Sequence, residues 1–191
     1  MSQTKLDDQN RLAALRLART PRLGPVTYLK LVARYGSPSE ALEALPELVR
    51  AKRLKGFDIP AEAQALAEME GLAASGDTLF LLGDKAYPRP LSLIPDPPIA
   101  IIARGNTELL ERAACGMVGS RNASAAGRRL ARYLAREISE DGICVVSGLA
   151  RGIDGAAHLG ALPAGTIAAV AGGVDVIYPP EHQALHAQII S

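Results

Sequence analysis

Two stretches constrain this chain more than anything else in it. Gly116-Met117-Val118-Gly119-Ser120-Arg121 and Val145-Val146-Ser147-Gly148-Leu149-Ala150-Arg151-Gly152-Ile153-Asp154 each run from apolar residues into glycine, pick up one arginine and pass into an alanine-rich helical segment. A parallel strand presents a helix N-terminus to an anion in this way. Glycine lets the backbone come close to a ligand, and the free N–H groups and dipole of the first helical turn favour negative charge. Two such turns from one sheet open on the same edge, at the carboxyl ends of the strands, where open α/β sheets bind ligands.

The 191 residues suffice for one generous domain or two small ones. With 48% hydrophobic and 21% charged residues the chain belongs with globular proteins that bury a core, not with disordered ones. Aromatic residues are only 4% and Trp is absent, which argues against a binding surface of several stacked rings. A net charge of +1 excludes a uniformly basic protein but leaves room for a segregated basic patch. Cys115 and Cys144, each at or beside a predicted strand, read as reduced core side chains, since neither has the close partners of a metal or redox pair. The polar, acidic start from Met1 to Asp8 lacks the pattern of a signal peptide, and no apolar run is long enough to span a bilayer. A cytoplasmic protein without a membrane partner is expected.

Residues 1–76 read as a small helical domain of five short helices. Leucines recur at helical spacing over Arg11–Ala18, Pro21 and Gly24-Pro25 break the chain, and the period resumes over Val26–Tyr35 until Gly36. Ser37-Pro38 opens another helix, with Ser37 as N-cap and Pro38 at its first position, and a further one is expected from Pro60 to Ala74. From residue 77 the texture changes to strands. Thr78–Leu82 and Pro98–Arg104 are short apolar runs either side of a proline-rich connector. Strands at Gly116–Gly119, Ile143–Ser147 and Thr166–Gly173 then alternate with helices at Ser124–Glu140 and Leu149–Leu162, which calls for a parallel sheet with right-handed crossovers. The first of those helices is expected to bury Leu130, Tyr133, Leu134 and Ile138 and to expose Arg128, Arg129, Arg132 and Arg136. With about five strands and a last crossover that leads to no strand, the α/β domain of residues 77–191 reads as incomplete at its C-terminus.

Neither G-x-G-x-x-G nor G-x-x-x-x-G-K-[ST] occurs, so the common dinucleotide and P-loop fingerprints are missing and no cofactor is called for. In their place Gly119 and Gly148 would let phosphates approach the backbone, Ser120 and Ser147 offer hydroxyl donors, and Arg121 offers a planar fork for a phosphate. Arg128 and Arg129, in the first turns of their helix, extend the positive edge. Arg151 has two readings: a second phosphate clamp, or an ion pair with Asp154 or Asp175. Asp154 is placed to orient its loop by accepting backbone N–H bonds, and His158, four residues on, to sit in the interior. His182 and His186 are also four apart, but no third ligand accompanies them, so no metal site is expected. The turn Leu23-Gly24-Pro25-Val26 resembles the hairpin of helix-hairpin-helix or sterile-alpha-motif (SAM)-like domains, whose amides can hold a DNA phosphate, although such a turn more often only packs.

The run Met117–Arg121, followed by Val146-Ser147-Gly148-Leu149-Ala150-Arg151-Gly152-Ile153-Asp154-Gly155-Ala156-Ala157-His158 and then by Ala171-Gly172-Gly173-Val174-Asp175-Val176-Ile177-Tyr178-Pro179, resembles the DprA/Smf DNA-processing family. The likeness covers roughly residues 80–191, and the helical segment is similar to that family's SAM-like domain. It implies an α/β fold with an extended Rossmann-like sheet that binds single-stranded DNA, self-associates as a dimer, and loads RecA during natural transformation, with no catalytic activity. Carried onto this chain, the pocket would comprise Gly119, Ser120 and Arg121, with Gly148 and Gly152 shaping the second turn and Gly172, Gly173 and Asp175 the third. Tyr178 is the aromatic best placed to meet a base. Where the family often carries a basic residue after Tyr-Pro, this chain has Pro180-Glu181-His182-Gln183.

The rival from another class is a nucleotide-binding protein or a nucleoside monophosphate phosphoribohydrolase. Rossmann-like enzymes of that kind use P-G-G-x-G-T-x-x-E. Here Gly172-Gly173 is preceded by alanine and followed by Val-Asp, without the glutamate.

Overall fold

In the computed structural model, which describes residues 7–51 and 57–191, four helices precede the first strand: α1 (Asp8–Ala18), α2 (Pro25–Tyr35), α3 (Pro38–Ala51) and α4 (Glu62–Ala74). Most of the acidic start read for a signal peptide lies outside the described residues. Two of them, α1 and α3, begin at a side chain that accepts from the orphan N–H groups. The Asp7 carboxylate accepts from Asn10 N at 2.8 Å ahead of α1, and Ser37 Oγ accepts from Glu40 N at 3.2 Å ahead of α3. Pro25 starts α2 directly after Gly24, at a position where a missing N–H costs nothing. Leu15, Leu17, Tyr28, Ala41 and Leu45 close the core of this bundle.

The strands β1 (Thr78–Leu81) and β2 (Ala100–Ala103) pair antiparallel, Thr78 opposite Ala103 and Leu81 opposite Ala100. They form a sheet of their own, so the count of about five strands in one sheet is corrected to two and three. The segment joining them holds only the four-residue helix α5 (Arg89–Ser92), too short for a parallel crossover. The hairpin is tied to α1 through Arg11, which pairs with the buried Asp84 carboxylate and donates to Leu79 O at 3.1 Å. Tyr28 Oη donates to Leu82 O at 3.2 Å, and burial raises its pKa. Helices and hairpin accordingly make one unit, Met1–Ala103, and Arg104–Ser191 make the other.

The second unit is a three-stranded parallel sheet ordered β3 (Ala114–Gly116), β4 (Cys144–Ser147), β5 (Thr166–Ala168). Val145 lies between Cys115 and Thr166 in register. The crossovers are α6 (Ala125–Glu140) and α7 (Ile153–Ala161), and α8 (Gln183–Ile190) follows the last loop. Strand β3 ends earlier than its apolar signal suggested, and β5 is three residues long, so the glycines after each lie in turns.

Helix α6 does not bury the face expected. Leu130, Tyr133 and Leu134 are 58%, 52% and 42% exposed, whereas Ala131, Ala135 and Ser139 are buried and Ile138 is half-buried. The reason is how closely α7 approaches: a side chain on Gly160 would run into the Arg132 carbonyl and come within 3.0 Å of Ala135 Cβ. Only small residues fit at such a seam, so the core is Ala135, Val145, Ala157 and Ala161, with Met117 and Ile138 packed on it.

Candidate nucleic-acid interface

The turn after β3 and the turn after β4 are built into each other. Met117 N donates to Val146 O at 2.9 Å, and the buried Ser147 hydroxyl donates to Met117 O at 2.7 Å. Ser147 therefore spends its hydroxyl on bracing two strands and does not present it to a ligand, as the sequence had suggested. Beyond the strands, Ile153 N donates to Ser120 O at 3.2 Å. Gly152 sits with φ +80° and ψ −117°, and a Cβ there would lie 2.7 Å from Arg121 O and closer still to Ser120 O. No residue but glycine fits both that backbone geometry and that separation. Gly119 faces Ile153 in the same way, a Cβ falling 2.6 Å from its Cγ1.

Helix α7 starts later than its periodicity suggested because residues 149–152 form the turn itself. Leu149 has φ +59° with its side chain fully buried, and Asp154 Oδ2 accepts from Ala150 N at 3.3 Å. His182 Nδ1 donates to Leu149 O at 2.9 Å, and its ring lies against Gly155. In sequence His182 stood out only for its spacing to His186. Its role in holding the turn carries no local signature.

His158 is fully buried in α7. The Thr166 hydroxyl donates to Val145 O at 2.6 Å, so it accepts from His158 Nδ1 at 2.9 Å, which leaves Nε2 buried without a partner. Burial lowers its pKa to about 4, the nearby Asp154 charge opposing and His182 adding to the shift, so the ring is neutral at pH 7.

Arg121 stands exposed on the first turn, and among the described residues no hydrogen bond or ion pair holds its guanidinium. Ser120 Oγ accepts from Asn122 N at 3.1 Å, which shapes the turn and leaves the hydroxyl hydrogen free to donate. Arg128 donates to Ala123 O, pinning the start of α6 where Ser124 Oγ accepts from Gly127 N at 3.1 Å. Arg151 pairs with neither Asp154 nor Asp175. Its partner is Glu181, through Nε to Oε1 and through Nη2 to Oε2 at 3.2 Å. The hydrogen bonds Glu181 accepts, from backbone and from Arg151, lower its pKa.

The third turn is joined to the second through Ala169 N, which donates to Ser147 O at 2.8 Å, and Gly148 lies 4.0 Å, measured from a Cβ built on it, from Ala169 O. Gly172 and Gly173 fold onto their own loop: Val176 N donates to Gly173 O at 3.2 Å, and the Asp175 carboxylate covers Gly173. Tyr178 is 68% exposed, beside a cis bond to Pro179.

Against this geometry the comparisons are decisive. The profile described as DNA recombination-mediator protein A matches residues 78–191, and the DprA-like N-terminal HHH (helix-hairpin-helix) domain matches residues 8–71. The chain belongs to the DNA recombination-mediator protein A family. DNA processing protein DprA of Bacillus subtilis is 40% identical over 119 residues, 58% of this chain and 40% of that protein. The DprA of Streptococcus pneumoniae is 39% identical over 112 residues, 58% of this chain and 39% of its own length. The chain thus spans about 40% of the length of these curated relatives. An X-ray structure of DNA processing protein A from Streptococcus pneumoniae has a TM-score of 0.69 at 24% identity, covering 97% of this chain and 65% of that one, which speaks for the fold. DNA processing protein A from Helicobacter pylori, whose structure is described for its single-stranded DNA binding mode, has a TM-score of 0.52 at 28% identity over 59% of this chain and 51% of that one. The chain is a helical HHH domain followed by an α/β domain with a three-stranded parallel sheet. No helix among the described residues is long and apolar enough to cross a membrane.

Proposed function

We propose that the strand-end turns of the second unit bind single-stranded DNA through its phosphates, in a cytoplasmic protein that protects incoming DNA and loads RecA during natural transformation. The observation that carries the reading is Arg121: an uncommitted guanidinium on a turn that Gly152 and Ile153 lock beside the N-termini of α6 and α7. A planar fork beside the positive ends of two helices suits phosphate oxygens. Gly119, Ser120, Arg128, Gly148 and Gly152 shape or charge the surface around it, Tyr178 offers one ring for a base, and the loop of Gly172, Gly173 and Asp175 borders it. Asp154 and His158 support the turn from within. Family membership and the relative described for its single-stranded DNA binding mode support the substrate class. The RecA contact and the homodimer rest on the family resemblance.

Binding of a labelled oligothymidine, followed by fluorescence anisotropy at several salt concentrations, tests this. Arg121→Ala is expected to lose about 1.5–3 kcal/mol, the scale of a charge-assisted hydrogen bond, and to flatten the salt dependence by roughly one phosphate. Unchanged affinity and slope would move the DNA away from the strand ends.

A further inference from the structure

The basic surface does not end at the turn. Arg128, Arg129 and Arg132 of α6 border an open groove of about 390 Å³ whose floor and far wall are Gly152, Gly155, Ala156 and Leu159 of the turn and α7, with His182 at one end. Among the described residues Arg129 and Arg132 have no hydrogen bond or ion pair, and Arg128 donates only to Ala123 O. One turn further along, the character changes. Arg136 is held by Glu137 at 3.0 Å and Glu140 at 3.6 Å, and its guanidinium lies 5.6 Å from the centre of the Tyr133 ring. The unpaired positive charge on α6 therefore forms a short track that starts beside Arg121 and stops at Arg132.

Guanidiniums held exposed and unpaired in a row cost the fold charge repulsion, and a chain with net charge +1 has acids enough to neutralise them, as it does for Arg136 and Arg151. The occupant that suits the track is an extended polyanion with regularly spaced charges, since no Phe, Tyr or Trp lines the groove. The geometry points to the α6–α7 groove as a second phosphate subsite, where Arg129 and Arg132 hold the backbone of a single strand as it leaves the strand-end turn. This rests on the DNA-binding reading above and extends it to a path and a length.

The test compares two oligothymidines, one of about 6 nucleotides and one of about 16, toward the short and long ends of ordinary single-strand site sizes. Wild type, the double variant Arg129→Ala/Arg132→Ala, and Arg136→Ala are titrated by anisotropy across a salt series. All three positions are exposed, and circular dichroism confirms folding. The double variant is expected to bind the longer oligonucleotide roughly 5–20-fold more weakly, with a salt slope shallower by about 1.4 for two phosphates, and the shorter one within about twofold of wild type. Arg136→Ala, which removes a charge already paired on the same helix, is expected to match wild type at both lengths. Equal loss at both lengths, no loss at either, or an equal effect of Arg136→Ala would overturn the subsite. Should the wild type bind neither oligonucleotide, the DNA-binding reading itself falls, whereas wild-type binding that the double variant leaves unchanged removes only the groove.

Discussion

Replacing Gly152 by alanine tests the interlock of the two turns most directly. Two penalties apply. The backbone at φ +80°, ψ −117° lies in a region that L side chains avoid, at a cost of roughly 1–3 kcal/mol. The new Cβ would also press on the backbone carbonyls of Ser120 and Arg121, which no rotamer change can relieve, adding roughly 1–3 kcal/mol. Gly142 supplies the control. It has φ +82° at the end of α6, but a Cβ built there meets nothing within 4 Å, so Gly142→Ala carries the positive-φ cost alone.

Urea unfolding followed by circular dichroism gives the comparison. Gly152→Ala is expected to be less stable than Gly142→Ala by about 1–3 kcal/mol, the contribution of the overlap. In DNA titrations the two should separate further. The carbonyls that must yield belong to the turn carrying Arg121, so Gly152→Ala loses affinity under conditions where it remains folded and Gly142→Ala does not. Equal stability and equal affinity of the two variants would refute the interlock and, with it, the claim that the second turn sets the position of Arg121.

Other expectations follow from the same geometry. Glu181→Gln frees Arg151 and removes a negative charge from the edge of the site, so single-stranded DNA should bind severalfold more tightly with a steeper salt slope, and weaker binding would show that the ion pair itself shapes the surface. Thr166→Val removes the hydroxyl that bridges the Val145 carbonyl and the buried His158 Nδ1, leaving Nδ1 without its partner, and should cost about 1–3 kcal/mol in urea unfolding. Because the His158 pKa falls from 6.5 to about 4, the unfolded chain binds a proton that the folded chain refuses between those values. The His158 contribution to stability is complete above pH 6.5, declines as the pH falls toward 4 by a total on the order of 3 kcal/mol, and then levels. His158→Asn should flatten that decline in thermal melts taken from pH 7 to pH 4.

What the sequence showed plainly was the alternation of strand and helix after Gly105 and the glycine-arginine turns, because both are local patterns of composition. The pairing of β1 with β2 was harder to see: short apolar runs do not encode direction. The proline-rich connector between them was the available sign, since it leaves no room for a crossover helix. For α6, two stripes satisfy helical spacing, Leu130-Tyr133-Leu134 and Ala131-Ala135-Ser139. Hydrophobicity favours the first, and only the distance to α7 selects the second. The ion pair of Arg151 with Glu181 bridges thirty positions and two loops, and nothing local distinguishes it from a pair with Asp154 or Asp175.

The side chains at the turns also bear on what chemistry the site offers. The Asp154 carboxylate is buried and accepts from the loop backbone, and the buried His158 ring donates to Thr166 and stays neutral at pH 7. The Ser147 hydroxyl donates to Met117, and His182 donates to Leu149. These four groups hold two strand ends and a loop in register, while among the described residues no hydrogen bond or ion pair holds the exposed Arg121, Arg129 and Arg132. A guanidinium remains charged at any physiological pH and recognises phosphate by geometry and charge. A site whose titratable groups hold the backbone and whose permanent cations meet solvent offers a ligand positive charge that changes little with pH. Its affinity should therefore respond to salt far more than to pH between 6.5 and 8.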